Sequence, residues 1–482
     1  MSENAVVAVG AKRTREYVLT CLSLFNRGRD EVELVSVGDS VSKAAEVSRL
    51  VAQCVGIEAT TADVSELRRG KDQFTRLAFR IRFSGRREEA ASRTAGAEDY
   101  VNFATYHLLL DHLLTTEGEL LLGVKGNPRL LRIQPTASEF QCSLAEGGEA
   151  LLASRRGADD TNRRNDTIED LTAALYRAGF VVSGRWEEIG ARLGQFDDVV
   201  LGLDTNVLYN CVITQQILDA VAFTCPPSGS PNWILLVVPN TVMQEIEQAA
   251  NCREENGQLS RVGRMGYRAL EEILELDQSR DIRGVSLLIV GETDGARVEL
   301  CGLRDDFKKQ NGQQATSRRM SVADTLIRDQ FKAFLRQLSF HKGSFFLTAD
   351  KSNSALGQAE GLHSIYFPSV HGGSTIHKSE VLRPHHLDYE GGEHLTMTVP
   401  VGKLIYEMAV QFGTIFVSAN GTSVKLDCDT RGDSLEHWIS RRLRIDPMEV
   451  ARLEAKYLQS ARVPLGLAEA FWEAEPKGRH FW

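Results

Sequence analysis

The sequence predicts an α/β multidomain protein, and three observations carry that reading. At 482 residues the chain exceeds one ordinary domain, and roughly 150 residues per domain suggests about three. Residues 5–85 run through strand-like and helix-like patterns in the order β-α-β-α-β-β. From Asp197 short apolar strands are separated by amphipathic helices, the mark of a parallel sheet flanked by helices. A smaller α+β pattern follows from residue 395. The hydrophobic content of 42% and charged content of 25% are those of a globular chain.

Composition also excludes several classes. The longest apolar runs, such as Trp233 to Pro239, fall far short of the roughly 20 residues that span a bilayer, so no membrane partner is expected. Met1-Ser-Glu-Asn-Ala-Val-Val lacks a basic segment followed by an apolar signal core, which points to a cytoplasmic protein, or a nuclear one in a eukaryote. Eight cysteines show no C-x-x-C pair and no histidine at zinc-finger spacing, so they read as reduced, mostly buried thiols. The net charge of -9 speaks against bulk coating of nucleic acid. Residues 1–87 nevertheless hold fifteen Lys and Arg against eleven Asp and Glu, so any phosphate contact comes from local basic patches.

Taken in order, Val6 to Gly10 is a strand and Thr14 to Phe25 a helix with Tyr17, Val18, Cys21, Leu22 and Phe25 at helical spacing. Glu31 to Val37 alternates as a second strand, and Ser42 to Cys54 forms a second helix. Ile57 to Leu67 and Phe74 to Phe83 flank Arg68-Arg-Gly-Lys71 as a hairpin. Across residues 5–85 this order, with Lys12 after the first strand, Gly38 after the second and Arg68, Arg69 and Lys71 at a basic hairpin tip, resembles the Alba family of small nucleic-acid-binding proteins. The resemblance implies nucleic-acid contacts at Lys12, Arg68, Arg69 and Lys71, and a homodimer as one arrangement. The chain departs from the family at Val37-Gly-Asp39, where members tend to be basic, which argues against strong DNA binding. A fold kept for dimerisation or docking is the alternative.

Residues 86–195 read as a linker and a small connecting module. The stretch 85–104 is small, polar and charged; Tyr106 to Leu114 is helical; Glu119 to Val124 and Leu130 to Ile133 pair around Gly126-Asn-Pro128. Glu149 to Asn165 is a polar break, and Ile168 to Ala178 is a helix closed by Gly179.

In the third region, 196–371, the strands are Val199 to Leu203, Trp233 to Val238, Ser344 to Leu347 and His363 to Phe367. Helices lie at Val242 to Ala250, Val262 to Leu276 and Ser321 to Leu338, with Lys308 to Arg319 as a loop. Asp204 and Asp350 each follow a strand, and ligands bind at the carboxyl ends of strands in open parallel sheets. Glu245 lies one turn into the helix after the second strand, and Asp324 falls in the first turn of its helix. Four carboxylates from four segments can thus converge. Such a cluster repels itself unless a cation neutralises it, and Mg²⁺ or Mn²⁺ takes oxygen ligands and can activate water for attack on a phosphodiester. Singly each residue has a duller reading: Asp204 and Asp350 as turn or helix-cap residues, Asp324 as a complement to a helix dipole.

Asp204-Thr-Asn206, the Glu of Val242-Met-Gln-Glu245, Ala323-Asp324 and Thr348-Ala-Asp350, in this order, resemble the motifs of a PIN domain over residues 198–370. The resemblance implies metal-dependent phosphodiester hydrolysis, most often endonucleolytic on RNA. It makes Asp204, Glu245, Asp324 and Asp350 the catalytic and metal-binding residues, with Thr205 or Asn206 organising the first carboxylate and Asn353 as an auxiliary. RNA is the expected partner and DNA the second candidate.

Arg264 and Arg268 share a helix face at i, i+4 and join Arg261, Arg318, Arg319 and Arg328 as candidate phosphate contacts, against a solvated helix face. Beyond a connector at 372–395, residues 395–446 read as a small α+β module: a helix at Val401 to Phe412, a hairpin turning at Asn420-Gly421, and a helix at Ser434 to Leu443. Arg441, Arg442 and Arg444 form a short basic cluster, and 447–482 is a partly helical tail. The expectation is therefore a metal-dependent endoribonuclease for single-stranded RNA. The competing reading is a non-catalytic RNA-binding or scaffold protein.

Overall fold

The computed structural model describes residues 5–10, 13–37, 41–69, 72–85, 100–136, 139–153, 161–181, 186–211, 213–218, 233–277, 285–291, 316–338, 343–368, 376, 380–383, 386–388, 394–396, 399–428 and 441–473. The chain divides into two compact units: Met1–Val182 with Glu254–Arg264 and Ser374–Trp482, and Ser183–Arg253 with Met265–Gly373.

The first unit opens with β1 (Ala5–Val9), α1 (Thr14–Asn26), β2 (Glu31–Val37), α2 (Val41–Cys54), β3 (Gly56–Arg69) and β4 (Asp72–Gly85). The sheet order is β1-β2-β4-β3, with β1 parallel to β2 and the other pairs antiparallel. The predicted β-α-β-α-β-β order is therefore the observed one. Its first loop is tied by two side chains: the Tyr17 hydroxyl accepts from Gly10 N at 2.7 Å, and the buried Lys43 ammonium donates to Gly10 O at 2.9 Å.

The chain continues with β5 (Tyr100–Val101), α3 (Phe103–Glu117), β6 (Leu120–Val124), β7 (Asn127–Pro135), β8 (Phe140–Leu144), α4 (Glu146–Ala153) and α5 (Thr161–Ala178). Every residue of α3 from Phe103 to Leu114 is buried, as expected of a helix packed on all sides. Asn102 caps its start by accepting from Thr105 N at 3.1 Å. Two expectations are corrected here. The stretch 85–104 is not linker throughout, because Tyr100 and Val101 pair with Arg444 and Leu443. The break at 149–165 is not uniform either, because α4 runs to Ala153. Gly147 and Gly148 let α4 sit close on β7: a Cβ on Gly148 would meet Leu130 O at 2.5 Å.

The second unit holds α6 (Trp186–Leu193), β9 (Asp198–Leu203), α7 (Thr205–Tyr209), β10 (Trp233–Pro239), α8 (Asn240–Ala250), β11 (Val285–Val290), α10 (Thr316–Gln337), β12 (Gly343–Thr348), α11 (Lys351–Ala359) and β13 (Ser364–Tyr366); α9 spans Arg261–Asp277. Its sheet is parallel throughout, in the order β11-β10-β9-β12-β13. β9 is central, and its Val199–Leu203 run is buried on both faces, which suits a β-branched apolar strand in a covered parallel sheet. The edge strand β11 was not among the four predicted strands. Phe331 of α10 covers β9 at Gly202, where a Cβ would meet its ring at 2.7 Å. The loop expected at Lys308 to Arg319 is helical backbone from Thr316 onward, and 308–315 lie outside the described residues.

Back in the first unit come β14 (Val381–Leu382), β15 (His386–Asp388), β16 (His394–Thr396), α12 (Val401–Phe412), β17 (Thr414–Ala419), β18 (Thr422–Asp427), β19 (Leu443–Ile445), α13 (Pro447–Ser460) and α14 (Leu465–Glu473). An eight-stranded sheet runs β14-β8-β7-β6-β17-β18-β19-β5. The segments expected as a connecting module and a separate C-terminal module therefore share one sheet, because β17 pairs with β6 as well as with β18. The expected helix at Ser434 to Leu443 lies outside the described residues up to position 440, and Leu443 is strand.

Buried polar pairs join α1 to the later segments of this unit. Arg27 donates to both Asp111 oxygens, at 3.2 and 2.5 Å, and to Glu139 O at 2.7 Å. Glu16 pairs with Arg441 at 3.0 Å, and Asn26 accepts from Arg462 N and Val463 N. Among the described residues no helix is long and apolar enough to cross a membrane. The described cysteines are free, and all but Cys252 are buried.

Candidate functional site

Asp204 leaves the carboxyl end of β9 and Asp350 follows the neighbouring strand β12, so both reach the same edge of the parallel sheet. Both also cap helices. Asp204 accepts from Thr205 N at 2.8 Å, and Asp350 accepts from Ser352 N at 2.6 Å and Asn353 N at 3.2 Å. Capping does not exhaust Asp204. Its Oδ2 also accepts from Thr348 Oγ1 at 2.5 Å and Asn353 Nδ2 at 3.0 Å, in a setting only 1% exposed. Burial pushes the Asp204 carboxyl above its ordinary range, opposed by these hydrogen bonds and aided by the charge of Asp350.

Glu245 stands on α8, half-buried, and accepts from Thr205 Oγ1 at 2.5 Å. One threonine thus spans two of the four carboxylates. Asp324 lies about two turns into α10 rather than in its first turn, because the helix begins at Thr316. Its carboxyl is pushed up to about 7, first by burial and then by the fields of Asp204, Asp350 and Glu245, with Arg328 opposing. The four acids therefore act on one another. Among the described residues, however, no three acidic, histidine or cysteine side chains lie close enough to hold a metal ion as they stand.

Of the predicted auxiliaries, Thr205 and Asn353 touch the carboxylates. Asn206 contributes its carbonyl, which accepts from Asn210 at 2.7 Å. Thr348 is not among the predicted site residues, yet its hydroxyl donates to Asp204 while accepting from Asp350 N at 3.0 Å. A polar residue ending the buried run Phe345-Phe-Leu was the available signal. Arg328, a predicted phosphate contact, is only 2% exposed. It donates to Asn353 Oδ1 and to both oxygens of Glu360, pulling the Glu360 carboxyl down to about 2.

The proposed arginine path on α9 is corrected. Arg264 is buried, and its guanidinium donates to Val410 O and Leu259 O, each at 2.8 Å. Arg268 is 4% exposed and lies 3.6 Å from the buried Glu271. Neither presents a face to solvent; i, i+4 spacing places residues on one stripe without saying which way the stripe faces. Arg261 pairs with Asp170 at 2.5 Å. Arg441 is likewise buried, over the Phe103 ring at 5.4 Å. Lys12, Gly38 and Lys71 lie outside the described residues. Arg68 and Arg69 are placed by backbone alone, at the end of β3 opposite Gln73 and Asp72. Arg318 and Arg319 are placed by backbone alone, in the first turn of α10.

Fold and site together define a multidomain α/β protein with a four-stranded β-α-β-α-β-β domain at its N-terminus and an acid-lined edge on a separate parallel sheet. The DNA/RNA-binding protein Alba 2 of Methanopyrus kandleri is 36% identical to this chain over 64 residues, which are 69% of that protein and 13% of this one. The match falls on the N-terminal domain, and through that domain the chain belongs to the Alba family. No family model matches the chain.

Proposed function

We propose that the protein is a metal-dependent endoribonuclease, with a PIN-like parallel sheet carrying the chemistry and the Alba domain holding nucleic acid. The supporting observation is the Asp324 carboxyl, pushed up to about 7 by burial and by three other acids from separate segments. The donors are all carboxylate oxygens, which fits Mg²⁺ or Mn²⁺. Asp204, Glu245, Asp324 and Asp350 would hold the ion. When bound, the ion would supply an activated water and charge stabilisation for in-line attack on a phosphodiester.

The chain's own residues have separable roles. Thr348, Asn353 and Thr205 N hold Asp204 in one orientation, and the hydroxyl of Thr205 holds Glu245. Glu245 and Asp324 are half-buried, and a bound cation would offset the repulsion among the four acids. The name of the Alba 2 relative, which binds DNA or RNA, supports nucleic acid as the partner of the N-terminal domain. Arg68, Arg69, Lys71 and Lys12 are the residues proposed to meet phosphates.

The test is cleavage of a fluorescent single-stranded RNA by the full chain with Mn²⁺, with and without chelator, beside Asp204→Asn. Metal-dependent products that vanish in the variant support the enzyme. Equal products from both proteins remove it. A second reading, a non-catalytic nucleic-acid-binding protein, draws support from the separation of the acids; it predicts RNA binding with no cleavage at any metal concentration.

A further inference from the structure

At the opposite edge of the same sheet, where β12 and β13 begin, a cavity of about 730 Å³ opens. Gly343 to Thr348 spans all of β12, so the cavity lies roughly 17 Å along the strand from the acids, at about 3.3 Å per residue. Its volume is within the range of small-molecule sites, roughly 300–1,000 Å³.

The lining is chemically specific. Phe196 and Phe345 meet edge to face with ring centroids 5.6 Å apart, and His363 extends the aromatic wall at 6.3 Å from Phe345. Flat heteroaromatic rings stack on such a surface whatever their hydrogen-bonding pattern. Arg192 stands on the lining, and its partner is Glu188 at 3.4 Å, in a pair where both side chains are about half exposed. An exposed pair of this kind is worth little, so the guanidinium can exchange its carboxylate for a phosphate at small cost. Ser364, 5% exposed, lines the cavity with a hydroxyl that has no hydrogen-bond partner among the described residues. Gln358 adds an amide.

We infer that this cavity binds a nucleotide, with the base against the Phe196, Phe345 and His363 wall and the phosphate on Arg192. The aromatic wall accounts for the base, the guanidinium for the phosphate, and the Ser364 hydroxyl and Gln358 amide for polar atoms on the base edge or sugar. The inference is independent of the proposed chemistry at the acids. The nucleotide is either free or one residue of a single-stranded RNA, and both present the same ring and phosphate.

Calorimetric titration of the full chain with adenosine 5′-monophosphate, and separately with a short single-stranded oligoadenylate, is run in chelator so that the acidic edge holds no metal. Arg192→Ala and His363→Ala, both at exposed lining positions, are titrated alongside, with thermal unfolding to verify their fold. Each substitution is expected to weaken binding about tenfold. Binding of the mononucleotide with that dependence supports a free nucleotide; binding of the oligomer alone with that dependence supports an RNA residue. No binding of either up to about 1 mM, or binding indifferent to either substitution, overturns the inference.

Discussion

Asn353 donates its side-chain amide to Oδ2 of Asp204 at 3.0 Å, joining the helix after one strand to the end of its neighbour across 149 positions of sequence. The same Asn353 accepts from Arg328. Glu360 at the surface and the buried Arg328, Asn353 and Asp204 therefore form one continuous chain of contacts.

Asn353→Ala removes the donor to Asp204 and strips Arg328 of one acceptor. A buried group left unsatisfied costs about 1–3 kcal/mol, so a lower melting temperature is expected. If Asp204 holds the ion, cleavage should also fall by about 10- to 100-fold, as for lost outer-shell support. Thermal unfolding and RNA cleavage on the same preparation measure both; full activity at a reduced melting temperature would make Asn353 purely structural.

The pH dependence follows from Asp324. Its carboxyl titrates near 7 in the fold against about 3.9 in an unfolded chain. The folded state therefore binds the proton more tightly, and the stability this contributes is complete below about 4 and lost as pH rises through about 7. In chelator, Asp324→Asn should melt a few degrees above the wild type at pH 8, with the gap closing towards pH 5. Metal affinity of the wild type should rise over the same window, since the ligand must deprotonate. A gap that widens on acidification would contradict the sign.

Arg264→Ala should destabilise rather than weaken nucleic-acid binding. The carbonyls of Val410 and Leu259 lose their charged donor, at a cost of about 1–3 kcal/mol for each group left unsatisfied. Fluorescence-monitored melting and RNA titrations at several salt concentrations measure the two effects. An affinity loss with an unchanged melting temperature would return Arg264 to the RNA path.

The hairpin tip carries the opposite expectation. Joint replacement of Arg68, Arg69 and Lys71 by Ala should reduce the slope of log affinity against log salt by about 2, near 0.7 per phosphate contact with single strands, while melting is unaffected. An unchanged slope would remove the tip from the interface.

Removing Arg27 tests how firmly α1 is held in its unit. Arg27→Ala leaves Asp111, of which 2% of the side chain is exposed, as a buried charge without its bidentate partner. Breaking such a pair from one side costs about 3–5 kcal/mol. Denaturation followed by limited proteolysis should show loosening within residues 14–117; unchanged protease resistance would show that the surrounding packing suffices.

The sequence by itself determined element type and order. Period-2 and period-3.6 apolar patterns are local, so the β-α-β-α-β-β order of residues 5–85 and four of the five strands in the parallel sheet were legible in it. The placement of Asp204 and Asp350 after strands was legible for the same reason, since a strand end and its following residue are adjacent in chain. Only the tertiary structure decided which strands pair and which way a charged side chain faces. β6 and β17 lie side by side although some 290 residues separate Gly123 from Phe416, and strand pairing over such distances leaves no local pattern. Arg264 and a solvated arginine are spelled alike; burial among carbonyl oxygens distinguishes them, and that is set by neighbours brought from residues 259, 410 and 411.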